Sequence, residues 1–129
     1  MYQLEVLYST GNTFGTHDEE RVIDDVVFAD IESAKEALQF ISQHKKMNDE
    51  LKYERDDTKR KLMKLDIESK PWAVKSRFSS DYEFALKVRT SKDSTEWTEI
   101  YAFWMGYFET LYEVRIIDAG RDELSISFR

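Results

Sequence analysis

Asp30-Ile31-Glu32-Ser33-Ala34-Lys35-Glu36-Ala37-Leu38-Gln39-Phe40-Ile41 carries a helix start and one apolar face within twelve residues. Asp30 suits an N-cap, because its carboxylate can accept from the free N–H groups of a first turn, and Glu32 complements the positive end of the helix dipole. Ile31, Ala34, Leu38 and Ile41 recur at the spacing that lays a single apolar stripe against a sheet. Beyond His44 the pattern weakens. Met47 and Leu51 could extend it, Lys52 to Lys61 is almost wholly polar, and Leu62, Met63 and Leu65 bring apolar residues back. The expectation is one long or broken helix, stopped by Pro71, because proline disfavours helical geometry in the residue before it.

Outward from the helix, the chain reads as strands. Tyr2, Leu4, Val6 and Tyr8 alternate with Gln3, Glu5 and Ser9, the period of a strand with one buried face. The loop from Ser9 to His17 holds Gly11 and Gly15 among small polar residues, and the Val- and Ile-rich run Arg21 to Phe28 reads as a second strand, its hairpin partner. After Pro71, Phe84, Leu86 and Val88 alternate with Glu83, Lys87 and Arg89. Ser91-Lys92-Asp93-Ser94 then turns the chain into Glu96 to Phe103. Tyr112, Val114 and Ile116, then Leu124, Ile126 and Phe128 around Asp118-Ala119-Gly120-Arg121, form a last hairpin. The predicted fold class is α+β, in the order β-β-α-β-β-β-β: an antiparallel sheet of about six strands packed on one long or broken helix.

A chain of 129 residues without repeats or linkers fits a single domain, 1–129, with 45–69 as a charged helical extension or insertion. The absence of cysteine removes disulfides and thiolate chemistry and suits a reducing compartment, so the expected location is cytoplasmic. The start Met1-Tyr2-Gln3-Leu4-Glu5 lacks the basic-then-apolar order of a signal peptide, and no apolar run reaches the roughly 20 residues of a membrane span, so no membrane partner is expected. A net charge of -7, with acids interleaved among 19 Lys and Arg, disfavours duplex nucleic acid as a partner. Aromatics at 14% exceed what a small core needs and point to an interface or ligand site.

Motifs for chemistry are sparse. His17 and His44 show no metal-ligand spacing, so no metal is expected, and a solvated ring or, for His44, a cation near a helix C-terminus explains them. Asp24 and Asp25, read on a strand, point to opposite faces and form no acid and base pair. His17-Asp18-Glu19-Glu20 matches no oxygen-ligand loop. The loop from Gly11 to Gly15 is neither a P-loop nor Gly-x-Gly-x-x-Gly, although its N–H groups with Thr10, Asn12, Thr13 and Thr16 could hold an anion as backbone nests do. No catalytic residue and no cofactor is assigned, and the reading is non-enzymatic.

Phe103-Trp104-Met105-Gly106-Tyr107-Phe108-Glu109 is the most unusual segment. Its aromatics surround a glycine where the strand pattern breaks, so they cannot all face one core. Phe103 and Phe108 suit the sheet and helix interface; Trp104 and Tyr107 suit a stacking surface, where one base on an aromatic contributes about 1–3 kcal/mol. Lys70-Pro71-Trp72, followed by Lys75 and Arg77, places another aromatic beside cations able to neutralise phosphate.

Thr10-Gly11-Asn12-Thr13-Phe14 paired with Phe103-Trp104-Met105-Gly106-Tyr107-Phe108-Glu109 resembles a family of small uncharacterised tailed-phage and prophage proteins, which pair Thr-Gly-Asp/Asn-Ser/Thr-Phe with Phe/Tyr-Trp-x-Gly-Tyr-Phe-Glu. The helix from Asp30 to His44 and the Pro71-Trp72 pair are similar too; Lys45 to Ser69 is not covered. The family carries no assigned reaction. The resemblance implies an accessory phage protein acting in bacterial host cytoplasm, in the size range of anti-defence proteins. On this reading the chain binds and sequesters a nucleotide immune signal through Thr10, Asn12, Thr13, Phe14, Trp72, Lys75, Arg77, Trp104 and Tyr107, as a homodimer or larger, because burying a small ligand is easier at a subunit interface. Two other classes stay open: an inhibitor docking on a host protein through exposed aromatics or its acidic surface, and an enzyme using a histidine with carboxylates brought together by folding.

Overall fold

The computed structural model describes residues 1–10, 18–75, 84–100, 110–118 and 121–128. Nine elements follow in chain order: β1 (Tyr2–Thr10), β2 (Asp18–Ile23), α1 (Ile31–Tyr53), α2 (Asp57–Glu68), β3 (Ala73–Lys75), β4 (Phe84–Val88), β5 (Thr98–Glu99), β6 (Thr110–Asp118) and β7 (Arg121–Ser127). The class is α+β with antiparallel strands, as the patterning predicts. The strands divide into two sheets, ordered β2-β1-β6-β7 and β3-β4-β5. The division arises because β6 does not continue the meander from β5. It crosses to β1, pairing Tyr2 with Asp118 and Ser9 with Thr110.

One strand boundary also differs from the sequence reading for a local reason. The second strand ends at Ile23 rather than Phe28. Asp24 is buried, and its carboxylate accepts from the Val26 N–H at 2.9 Å, a side-chain turn that bends the chain out of the ladder. Phe28 then rejoins the sheet as a single bridge to Tyr2. Asp24 and Asp25 therefore lie beyond β2, one buried and one exposed. The helix, expected to be long or broken, is broken at Glu54 to Asp56. Asp56 caps α2 by accepting from Lys59 N–H, while Arg60 donates to the carbonyls of Leu51 and Glu54 and so ties the start of α2 to the end of α1.

One core runs through both sheets. It takes Leu4, Val6 and Tyr8 from β1, Ala34, Ala37, Leu38, Ile41 and Leu51 from α1, Ile67 from α2, Leu86 and Val88 from β4, and Val114 and Ile116 from β6. At its N-terminus α1 is capped as the sequence predicts: Asp30 accepts from the Ser33 N–H at 2.8 Å, and its second oxygen takes the Lys92 N–H at 3.0 Å. These backbone donors, Lys92 first, hold the Asp30 carboxyl below its ordinary value. Arg89 then clasps Glu36 through two guanidinium nitrogens, and that pair raises the arginine's proton affinity.

Candidate functional site

The direction of α1 gathers several chain ends at one pole of the molecule. At its start, Ala29 donates to Thr90 O and Phe28 bridges Tyr2, so the helix begins beside the end of β4 and the start of β1. About two and a half turns before its other end, His44 Nε2 lies 2.5 Å from the Phe84 carbonyl, at the start of β4. Lys45 Nζ sits 5.8 Å from the Phe128 ring centre, and Phe128 N–H donates to Tyr112 O at 2.7 Å. Tyr112 follows Thr110, which stands opposite Ser9. The last residues of β1, the first of β6, the first of β4 and the chain beyond β7 thus converge around His44 and Lys45.

This convergence bears on the sequence motifs through their flanks. Thr10 ends β1, with its backbone paired to Asp18 across the 11–17 loop. Thr110 opens β6 directly after the 103–109 motif, one ladder position from Thr10. Lys75 ends β3 and pairs with Phe84, so the chain that carries Arg77 leaves and re-enters the second sheet at the same pole. Asn12, Thr13, Phe14, Arg77, Trp104 and Tyr107 themselves lie outside the described residues.

Trp72 has a different place from the one its sequence neighbours suggest. It is 0% exposed, its Nε1 donates to Gln43 Oε1 at 3.0 Å, and its ring meets His44 edge-on at 5.6 Å. No face of the ring is open for a base to stack on. Trp72 fastens β3 and β4 to α1.

The described side chains at this pole form a small polar group that sequence reasoning missed. The Phe84 carbonyl is the next acceptor along β4 after that of Leu86, which receives the Ile100 N–H. Two side chains from α1 occupy it: His44 Nε2 and Asn48 Nδ2, the latter at 3.1 Å. A hydrogen bond to that carbonyl requires the proton on Nε2, from which Asn48 Nδ2 stands 2.9 Å away. Burial pushes the His44 pKa below its ordinary value of 6.5, against smaller opposing effects of the Phe84 carbonyl and Asp49, so the ring is neutral near pH 7 rather than the helix-terminal cation expected from sequence. The His44 and Asn48 spacing of four, one helical turn, was the available signal. Lys45 completes the group, held 2.8 Å from Asp49.

A second aromatic and cation cluster stands toward the other end of β4. Trp97 packs on Phe40 at 5.9 Å, with Lys87 Nζ and the Arg89 guanidinium at 5.7 and 5.6 Å from its ring centre. Lys87 and Arg89 alternate along β4, so both approach from one face. Arg89 is already neutralised by Glu36, which makes the cluster an edge seal rather than an open anion site. Among the described residues no group of three or more His, Asp or Glu side chains converges as a metal site would require. Among the described residues no helix is long and apolar enough to cross a membrane. Comparison with protein-family models, with curated proteins and with solved structures finds no match to this chain.

Proposed function

We propose that the chain is a phage accessory protein of the anti-defence kind, which binds and sequesters a small nucleotide signal without chemically altering it. The observation that carries this reading is the ladder position of Ser9 opposite Thr110, which roots the Thr10 to Phe14 and Phe103 to Glu109 motifs on neighbouring strand ends. The chain that carries Arg77 starts from the same pole, at Lys75 and Phe84. A base stacked on the aromatic motif, with phosphate held by loop N–H groups and Arg77, would require these pieces to share one end of the sheets. Competing with a receptor that responds near micromolar signal needs better than about -8 kcal/mol, within reach of two stacks and a few charge-assisted hydrogen bonds.

The test is a thermal-shift panel of cyclic di- and trinucleotides and cyclic ADP-ribose isomers, followed by mass spectrometry of whatever heat releases. At a hundredfold excess over the dissociation constant a true ligand adds about 2.7 kcal/mol, a shift of several degrees. Recovery of the ligand unchanged supports sequestration, and recovery of a product makes the protein an enzyme. A second reading, docking on a host protein, draws on the β2 edge of the larger sheet, where Val22, Ile23 and the following Val27 are exposed. A panel without any shift moves the argument to that edge.

A further inference from the structure

α2 exposes a face whose pattern is complementary to itself. Leu62 and Leu65 are 63% and 62% exposed, although Ile67 on the opposite side of the same helix is 1% exposed. The leucines sit midway along a stripe that continues through Thr58 and Ser69, spaced four, three and four residues apart, the spacing of a helix-pairing seam. One flank of the stripe carries Lys61 and, two turns on, Glu68; the other carries Lys59 and, two turns on, Asp66. Each of these pairs is therefore basic on its N-terminal side and acidic on its C-terminal side, with Asp57 preceding Lys61 at the helix start. All four charged residues are exposed. Asp66 has only a loose contact with Lys70, at 3.9 Å. Arg60 is turned away to the α1 carbonyls and takes no part.

We propose that this face is the dimer interface of the protein, occupied by α2 of a second copy lying antiparallel to it. A twofold interface places the same patch on both partners, so only a self-complementary pattern can close it. In an antiparallel pair each flank meets its own counterpart running the other way. Lys61 then faces Glu68 of the second copy, and Lys59 faces its Asp66. Leu62 meets Leu65 across the axis, so four leucines form the seam, and the opposed helix dipoles favour the same orientation. Two helices of about 18 Å cover less than the roughly 1,200 Å² of a standard interface, so the dimer is weak and concentration-dependent. The inference is independent of the nucleotide reading, because no residue of that site takes part.

Sedimentation velocity of the full chain, from low-micromolar to near-millimolar concentration, is expected to show a mass rising reversibly from one copy toward two. K59E/K61E makes both charge pairs acidic, and D66K/E68K makes both basic. Each variant alone is expected to associate at least about tenfold more weakly than the native chain, through like-charge repulsion, whereas an equimolar mixture of the two is expected to dimerise. Circular dichroism matching the native chain shows that the fold is intact, as suits exposed positions. With no native cysteine to interfere, T58C mixed with S69C fixes the orientation by forming a mixed disulfide on mild oxidation. A chain that stays monomeric throughout, a dimer indifferent to both charge variants, or crosslinking of T58C to itself alone would overturn the proposal.

Discussion

The two helices are joined by three residues yet stand in opposite relations to the fold. α1 sends Ala34, Ala37, Leu38, Ile41 and Leu51 into the core and touches both sheets, whereas α2 is one buried residue, Ile67, on an otherwise wet helix. Apolar content does not distinguish them, since α2 has four apolar side chains in twelve residues. What differs is where those side chains point. α1 is held by burial all along its length, while α2 is held at its ends, by the Asp56 cap and the Arg60 clasp at one and by Ile67 near the other. An apolar residue on α2 is thus no guarantee of core: Leu62 and Leu65 are exposed, while Ile67 is buried and Met63 packs partly against the core.

The contrast can be broken most severely at the element both helices lean on. Trp72→Ala removes the ring that seats β3 and β4 on α1 and is expected to cost about 3–5 kcal/mol, read as a lower urea midpoint with an unchanged slope. Next, Ile67→Ala and Leu65→Ala are nearly identical on paper and two residues apart. The first should cost about 2–4 kcal/mol and the second, measured at concentrations too low for self-association, no more than about 0.5. Equal effects would erase the distinction between the helices. Asp56→Ala should cost about 1 kcal/mol and should loosen α2 before α1, visible as faster amide exchange confined to α2.

The smallest effect sharpens the account of α1 through pH. The folded state disfavours protonated His44, so its contribution is complete above the ordinary value of 6.5 and is lost as pH falls from there toward the lowered folded value. His44→Gln, whose amide can still donate to the Phe84 carbonyl, should flatten stability over that window and leave the alkaline side unchanged. Asp30 also has a lowered value, but its contribution fades only as pH drops below about 3.8, so the two residues separate cleanly in an acid titration.

The sequence disclosed local periodicity and concealed pairing. The alternation of Leu4, Val6 and Tyr8, the Asp30 cap, and the stripe from Ala34 to Ile41 were legible because each is written within a few consecutive residues. The separation into two sheets was not, because it depends on β6 choosing β1 over β5, a choice made across the whole chain. Trp72 illustrates the same limit at the candidate site. Beside Lys70, Lys75 and Arg77 it reads as a binding aromatic, and only Gln43 and His44, distant in sequence, reveal it as core. The association of the two motifs was legible as co-occurrence alone; the pairing of the strand ends that flank them emerges from the register of Ser9 with Thr110.

That register also governs how the chain is made. β1 leaves the ribosome well before the strand that covers its inner edge: Met1 and Asp118, 117 positions apart, end within 3.3 Å of each other. At about 5–20 residues per second, the gap between synthesis of β1 and of β6 is on the order of 5–20 s. During that interval the β1 and β2 hairpin offers an unpaired apolar edge. Ribosomes that stall before β6 should therefore yield fragments that aggregate, and conditions that slow elongation should lower the yield of soluble protein even where the finished fold is stable.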